Sequence, residues 1–303
     1  MPGPAPFSVD LRDAILAWYT VAGRDLPFRR TTDPYAILVS EAMAQQTQAA
    51  RAGEAWTRFM TAFPTVEALA EATPADVLRA WQGLGYNRRA INLWRGAGRI
   101  VREFGGRVPS GIEDLETLPG VGPYTARAVA AIAFGERVGA VDTNVRRVLG
   151  RMTSGRAASL TPEEMQRLAD DAVPFDSAGP WTHALMDIGA MRCHPRRPAC
   201  ETCPARPWCR YAASDTDDMP ARTAISRAAG EAAPPFRTTS RWLRGRIVDR
   251  LRDAPDRAWV VIGGPIGDHD GAAVETAVLA LAADGLVEVE PSGRDLLVRL
   301  AVT

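Results

Sequence analysis

Apolar residues in the first two hundred positions recur at the three-to-four-residue spacing of amphipathic helices. This pattern predicts helices over residues 9–22, 36–56, 66–70 and 88–104. Thr65 and the pair Thr73-Pro74 are placed to start helices, because threonine caps a helix and proline suits its first turn. No alternating run of β-branched residues occurs up to about residue 210, so this part is predicted to be all-α.

The pattern changes after residue 211. Residues 215–235 are rich in Asp, Ala, Pro, Gly and Thr, a composition typical of a linker. Two helical runs and then two short strand-like runs follow, over residues 241–252, 274–284, 286–289 and 296–300. The last two flank the turn residues 291–293, and this order favours a winged-helix-like domain.

The predicted fold class is therefore mostly α, with a small C-terminal α+β domain. We expect a helical domain over residues 1–212, a linker over 213–235 and the winged-helix-like domain over 236–303. No apolar run reaches the roughly 18–20 residues of a membrane span. The first residues have neither a basic nor an apolar segment, so no secretory signal is predicted and we expect the chain in the cytoplasm.

The charge composition excludes several kinds of chemistry. Formal net charge is zero, so binding to a polyanion must depend on local basic patches. All 36 cations are arginine, and the sequence contains no lysine. A lysine Schiff base, a lysine general base and a P-loop lysine are therefore excluded.

The four cysteines, Cys193, Cys200, Cys203 and Cys209, lie within seventeen residues. Four thiolates in one short loop can bind a single metal centre, either tetrahedral zinc or a [4Fe–4S] cluster. Their spacing differs from the paired CxxC knuckles of a zinc ribbon. Free buried cysteines are the plain alternative.

Three further segments carry candidate chemistry, each with a structural alternative. The turn Leu118-Pro119-Gly120-Val121-Gly122 can bring backbone N–H groups close to a phosphate, or be only a turn. Asp142 precedes a predicted helix and suits its N-cap position. The alternative is that Asn144 caps the helix and leaves the Asp142 carboxylate available for another role. Glu41 lies among small and apolar residues and is a candidate functional carboxylate. The structural alternative is a surface glutamate on an amphipathic helix.

Taken in order, these motifs resemble a known family. Glu41 with Gln45-Gln46-Thr47, then Gly83-Leu84-Gly85-Tyr86, the glycine turn, Val141-Asp142-Thr143-Asn144 and the four cysteines follow one another along the chain. The sequence up to about residue 210 resembles the helix-hairpin-helix DNA glycosylases with an iron–sulfur cluster, and most closely the MutY-type adenine glycosylases.

The resemblance implies a hydrolase that flips adenine, mispaired with 8-oxoguanine or guanine, out of double-stranded DNA and removes it. It implies that Glu41 is the acid, with a raised pKa, and that Asp142 is the ionised carboxylate beside the sugar cation. Tyr124 occupies the place of the lysine that gives related enzymes their lyase activity. A monofunctional glycosylase is expected, acting as a monomer.

The resemblance also implies roles in binding. The [4Fe–4S] cluster would be held by residues 193–209. DNA contacts are expected from a set of side chains and backbone groups: Gln45, Gln46, Tyr86, Arg88, Gly120, Val121, Gly122 and Thr125. An adenine pocket is expected from Phe28, Arg29 and Asp187, where many relatives have Trp and Glu.

Several departures from the family keep other functions open. Ala44 and Asn87 replace the usual Leu and Tyr, and residues 236–303 are too few for the family's NUDIX-like C-terminal domain. That segment binds DNA through Arg241, Arg244 and Arg246, or only packs on the helical domain. The alternatives are a glycosylase for another base, such as thymine opposite guanine, a DNA-binding relative without activity, and a zinc-binding transcription factor.

Overall fold

The computed structural model describes residues 7–155, 160–213, 234–292 and 295–302. Within them it has these helices: α1 Val9–Ala22, α2 Pro34–Ala44, α3 Ala49–Ala62, α4 Val66–Glu71, α5 Pro74–Ala80, α6 Arg88–Phe104, α7 Ile112–Glu116, α8 Pro123–Ala133, α9 Thr143–Ser154, α10 Pro162–Ala172, α11 Ala178–Met191, α12 Arg210–Ala213, α13 Ser240–Arg252 and α14 Gly271–Ala283. None of these helices is long and apolar enough to cross a membrane.

The chain divides into two compact units. The first comprises the described residues within Met1–Glu41, Ser110–Thr117 and Val121–Thr223. The second comprises those within Ala42–Pro109, Leu118–Gly120 and Ala224–Thr303. The predicted boundaries at residues 212 and 236 stay a prediction, and most of the predicted linker lies outside the described residues.

The first unit is built around α11. Helices α1, α8 and α9 pack against it. Leu11, Ile15, Leu149, Trp181 and Ile188 lie in one fully buried cluster, which gives these helices a common core. The same cluster includes Val145 in the first turn of α9, so this core fixes the start of α9, where the predicted catalytic residue Asp142 lies.

The second unit begins with helices α3 to α6. Phe59 contacts Phe63 and Trp81 edge to face, with ring centroids 4.9 and 5.9 Å apart. The predicted caps are present, since the Thr65 and Thr73 hydroxyls accept the backbone N–H groups of Ala68 and Asp76. The helix predicted over residues 36–56 is wrong as one element, because α2 ends at Ala44 and α3 begins at Ala49.

The same unit includes the C-terminal segment. A three-stranded antiparallel sheet has the order β1-β3-β2, from β1 Val260–Ile262, β2 Val287–Ser292 and β3 Asp295–Leu300. Helices α13 and α14 cover it, so the predicted winged-helix-like order is confirmed with one more strand than expected. Residue 293 of the predicted turn lies outside the described residues.

The C-terminal segment packs on the helices of the second unit. The Ala75 N–H donates to the Ala301 carbonyl at 2.8 Å. The Arg252 Nε donates to the Leu78 carbonyl at 2.9 Å, and its Nη2 donates to Asn87 Oδ1 at 2.8 Å. Asn87 therefore has a partner in the C-terminal segment.

Candidate active site

Glu41 lies on α2 and is buried, so the alternative of a surface glutamate is wrong. Burial raises its pKa to about 7, and the negative charge of Asp142 adds to the rise. A hydrogen bond from Tyr124 and the charge of Arg29 oppose it. A carboxyl group that titrates near neutrality can give a proton and later take one back.

Tyr124 stands in the first turn of α8, directly after the glycine turn. Its hydroxyl donates a hydrogen bond to Glu41 and lies 3.9 Å from the sulfur of Met186. Burial and the charges of Glu41 and Asp142 raise the pKa of Tyr124 well above its usual value. The phenol therefore stays neutral at physiological pH and acts as a donor.

Asp142 is the N-cap of α9. Its Oδ1 accepts the Val145 N–H at 2.7 Å, and its Oδ2 accepts the Asn144 amide at 2.9 Å. The suggestion that Asn144 caps the helix is wrong, because Asn144 lies inside α9 and holds the second carboxylate oxygen. The capping role leaves Asp142 close enough for its charge to raise the pKa of Glu41.

Asp187 is fully buried on α11 and is bonded to two arginines. Arg29 donates to both of its oxygens, at 2.6 and 2.8 Å, in a bidentate pair. Arg24 donates through Nε at 2.6 Å and through its backbone N–H at 2.8 Å. Burial would raise the pKa of Asp187, but these donors outweigh it and hold the pKa below its usual value.

The Asp187 carboxylate is thus paired with Arg29 and Arg24, and contact between Asp187 and a base stays a prediction. Arg29 is itself close enough to lower the pKa of Glu41. The ring of Phe28, one residue earlier, is buried. The three predicted pocket residues lie in the first unit, as Glu41 does, and the pocket itself stays a prediction.

Two residues beside Arg29 were missed from the sequence. The Arg29 guanidinium lies 5.7 Å from the ring centroid of Tyr19, whose ring is 6.2 Å from that of His183. Burial and the charge of Arg29 lower the pKa of His183 to about 3, so the imidazole is neutral. One sequence feature could have revealed His183: it lies four residues before Asp187, which puts both side chains on one face of α11.

The glycine turn connects α7 to α8, and phosphate binding by its backbone stays a prediction. Gly120 has φ +82°, and a Cβ there would lie 2.9 Å from Asn92 Cβ. Gly122 is the N-cap residue of α8 and, as a glycine, has no side chain to bond the first N–H groups of the helix. The space beside it is open, because a Cβ built on Gly122 would have no heavy atom of the described structure within 4 Å. The start of α8 is open to an anion beside Val121 and Gly122. The side chain of Thr125 is buried, so only its backbone is placed for such a contact.

The other predicted DNA contacts lie on two loops of the second unit. Gln46 is exposed with φ +55°, and Tyr86 is 40% exposed with φ +46°. Arg89, which was not predicted, joins the loops. Its guanidinium donates to the carbonyls of Ala42, Met43, Gln45, Leu84 and Gly85 at 2.5–3.3 Å.

Arg88 is exposed beside these loops, with its guanidinium 3.8 Å from the Asp284 carboxylate. It remains accessible to a phosphate. Gln45 is half-buried, and its carbonyl is the closest acceptor of Arg89. Ala44 is the last residue of α2.

The four cysteines lie together in the loop after α11, each half-buried. Cys193, Cys203 and Cys209 pack against the core of the first unit. Burial raises the pKa of Cys203 to about 11, and the other three thiols add to the rise. Among the described residues no three Cys, His, Asp or Glu side chains form a closed ligand set.

The loop nevertheless fits a thiolate-bound centre. The Arg151 Nη1 donates to Cys193 Sγ at 3.3 Å, and its guanidinium also donates to the carbonyls of His194 and Pro195. A buried arginine beside four sulfurs would offset the negative charge of thiolates. The donor set and its charge partner therefore suit an iron–sulfur cluster or zinc.

Comparison with known proteins agrees with this geometry. Residues 39–174 match the model of the HhH-GPD superfamily base excision DNA repair protein. The chain is 42% identical to an adenine DNA glycosylase of Mycobacterium tuberculosis (strain CDC 1551 / Oshkosh), over 92% of this chain and 91% of that protein. It is 41% identical to the human adenine DNA glycosylase, over 66% of this chain and 39% of that protein.

The fold is also similar to the structure of a thermostable thymine-DNA glycosylase. The TM-score is 0.63 at 32% identity, over 67% of this chain and 94% of that one. Fold and site together define a helix-hairpin-helix base excision repair protein. The chain belongs to the HhH-GPD superfamily and, within it, to the adenine DNA glycosylases.

Proposed function

We propose that this protein hydrolyses the bond between adenine and deoxyribose in double-stranded DNA, where the adenine faces 8-oxoguanine or guanine. The supporting observation is Glu41, a buried carboxyl with a pKa of about 7 next to a second carboxylate and a neutral phenol. Two carboxyl groups in such different environments suit one acid and one ionised partner.

In the first step, protonated Glu41 gives its proton to N7 of the flipped adenine. The C1′–N9 bond then breaks, and its electron pair leaves with the neutral base. The sugar becomes an oxocarbenium ion, whose charge the Asp142 carboxylate stabilises. The hydrogen bonds from Val145 and Asn144 hold that carboxylate in place.

In the second step, water attacks C1′ and loses a proton to the Glu41 carboxylate. Tyr124 donates to that carboxylate and orients it between the two steps. The products are free adenine, an abasic site and Glu41 in its starting form. Because the sequence has no lysine, no lysine attacks the sugar, and the strand stays intact.

DNA binding in this proposal uses both backbone and side-chain contacts. N–H groups at Gly120, Val121, Gly122 and Thr125 hold a phosphate without reading sequence. Gln45, Gln46, Tyr86 and Arg88 contact the duplex where the base leaves the stack. Phe28, Arg29 and Asp187 form the wall of the adenine pocket, with Asp187 acting through Arg29.

We assign a [4Fe–4S] cluster to Cys193, Cys200, Cys203 and Cys209. When bound, the cluster would close the loop of residues 193–209 and so hold its basic residues, such as Arg196 and Arg197, in place for DNA. Iron and acid-labile sulfide analysis of the purified protein checks this, and bound zinc in their place would reject it. We further propose that the protein acts as a monomer on chromosomal DNA in the bacterial cytoplasm.

Single-turnover excision tests the proposal. Duplexes with adenine opposite 8-oxoguanine, adenine opposite guanine and thymine opposite guanine are compared, with alkali revealing abasic sites. Glu41→Gln should abolish adenine excision, whereas Glu54→Gln, an exposed glutamate on α3, should not. Release of thymine alone would favour the second candidate, which rests on the similarity to a thymine-DNA glycosylase.

A further inference from the structure

An exposed cluster of two aromatic rings and one arginine joins the C-terminal segment to the Tyr86 loop. Arg241 hydrogen bonds to the Tyr86 hydroxyl. Its guanidinium carbon also lies 4.7 Å from the Tyr86 ring centroid and 4.9 Å from that of Phe236. All three residues belong to the second unit.

The exposure of this cluster is unusual for aromatic side chains and indicates a binding surface. Large aromatic side chains are usually buried, and Tyr86 and Phe236 are 40% and 54% exposed. They are two of the three exposed aromatic residues in the part of the chain that the structure describes. Exposed aromatic rings stacked with arginine form a platform on which unpaired bases stack.

The platform is held in place from the side of Tyr86. Its backbone is in the left-handed region, a strained state for a tyrosine. Arg89 stacks on the same ring at 5.6 Å while it donates to the Gln45 carbonyl. The exposed ring is therefore fixed next to the loop that carries Gln46.

The C-terminal side is fixed as well. Arg241 lies in the first turn of α13, which Thr239 caps by accepting the Trp242 N–H. The Thr239 hydroxyl also donates to the Phe236 carbonyl at 2.7 Å. Farther along α13, Arg252 bonds to Asn87, so one helix contacts two successive residues of the loop.

We infer that Arg241, on the platform with Phe236 and Tyr86, contacts the base opposite the excised adenine and selects guanine or 8-oxoguanine there. Arginine has only donors: its fork complements O6 and N7 of guanine, and a single N–H complements O6 or O8 of 8-oxoguanine, whose N7 carries a proton. The inference rests on the proposed function and gives the short C-terminal segment a part in recognition.

The test compares three duplexes in which adenine faces 8-oxoguanine, guanine or a stable abasic analogue. Arg241→Ala should lower single-turnover excision about 10-fold or more on the first two, and leave the third unchanged. Arg250→Ala is the matched control, because Arg250 is exposed on the same helix about two and a half turns later, on the face opposite Arg241. It should leave all three rates unchanged.

Arg241→Lys separates base recognition from a phosphate contact. Lysine keeps the charge but not the planar fork, so the loss on the guanine duplex should persist. Restoration of the guanine-duplex rate by lysine, an equal loss on all three duplexes, or no loss would each overturn the inference. An equal loss would show that Arg241 only supports Tyr86.

Binding measured in the Glu41→Gln background keeps this test separate from the proposed function. If the wild type released no adenine from any duplex, the proposed activity would fail. The binding measurement would still test the role of Arg241. It compares how strongly the proteins with Arg241 and with Arg241→Ala prefer guanine or 8-oxoguanine over the abasic analogue opposite adenine. Equal thermal midpoints of the variants exclude misfolding.

Discussion

At the scale of single residues, the pKa of Glu41 reflects a balance between burial and one hydrogen bond. Tyr124→Phe removes the donor that lowers this pKa, so the acid form should persist to higher pH. Because protonated Glu41 starts the reaction, the excision rate should fall as pH rises through the Glu41 pKa. In Tyr124→Phe this fall should occur at a higher pH than the value of about 7 expected for the wild type. Single-turnover rates of adenine excision across pH 5–9 measure the shift.

The control is Tyr19→Phe, which changes a phenol that contacts Arg29 instead of Glu41. Its pH profile should match that of the wild type. A Tyr124→Phe profile that also matched the wild type would show that the hydroxyl does not stabilise the Glu41 carboxylate.

The raised pKa of Glu41 also predicts a cost in stability. The folded pKa of about 7 exceeds the ordinary value of 4.5, so the folded state loses stability as pH rises through this window. Glu41→Gln should therefore raise the free energy of unfolding by about 3 kcal/mol at pH 8 and by less than about 1 kcal/mol at pH 5. Urea unfolding at both pH values measures the difference.

Glu54→Gln serves as the comparison, because an exposed carboxyl should give no such dependence on pH. Equal stability of Glu41→Gln and the wild type at pH 8 would contradict the raised pKa.

Residue-scale prediction succeeded where a local pattern carried the information. The position of Asp142 before a helix predicted its cap. The local sequence around Glu41 left open whether its side chain is buried or exposed. The pairing of Asp187 with Arg29 and Arg24 was not predictable, because those partners lie 158 and 163 residues away in the sequence.

At the scale of elements, the C-terminal end of α2 is stabilised by Arg89, which donates hydrogen bonds to its last carbonyls. The helix predicted over residues 36–56 breaks after Ala44 because the Arg89 guanidinium takes the carbonyls that end α2. No residue type between 44 and 49 signals the break. By contrast, α1 and α6 have the predicted bounds, because their own apolar spacing defines them.

Arg89→Met should lower the free energy of unfolding by about 2–4 kcal/mol, because several carbonyls lose a charged donor. Urea unfolding measures the loss. The neighbouring Arg88→Met is the control, and an exposed ion pair at 3.8 Å should contribute less than about 1 kcal/mol. Equal losses in the two variants would show that Arg89 does not support the loops.

At the scale of the whole molecule, the C-terminal segment and the helices of the second unit form one packed body. Sequence patterns predicted the type of domain but not its contacts, since Arg252 bonds to residues 165 and 174 positions earlier. Strand β1 was also missed, because its three residues pair only with the distant β3. Long-range pairing leaves no periodic signal.

A double-mutant cycle tests whether this packing stabilises the Tyr86 loop. Arg252→Met and Asn87→Ala each remove one side of the same hydrogen bond, so their effects on the free energy of unfolding should couple by about 1–2 kcal/mol. Arg252→Met combined with Thr276→Ala, whose hydroxyl bonds within α14, should be additive. Additivity of the first pair would mean that Arg252 stabilises the C-terminal segment without holding the loop that carries Tyr86.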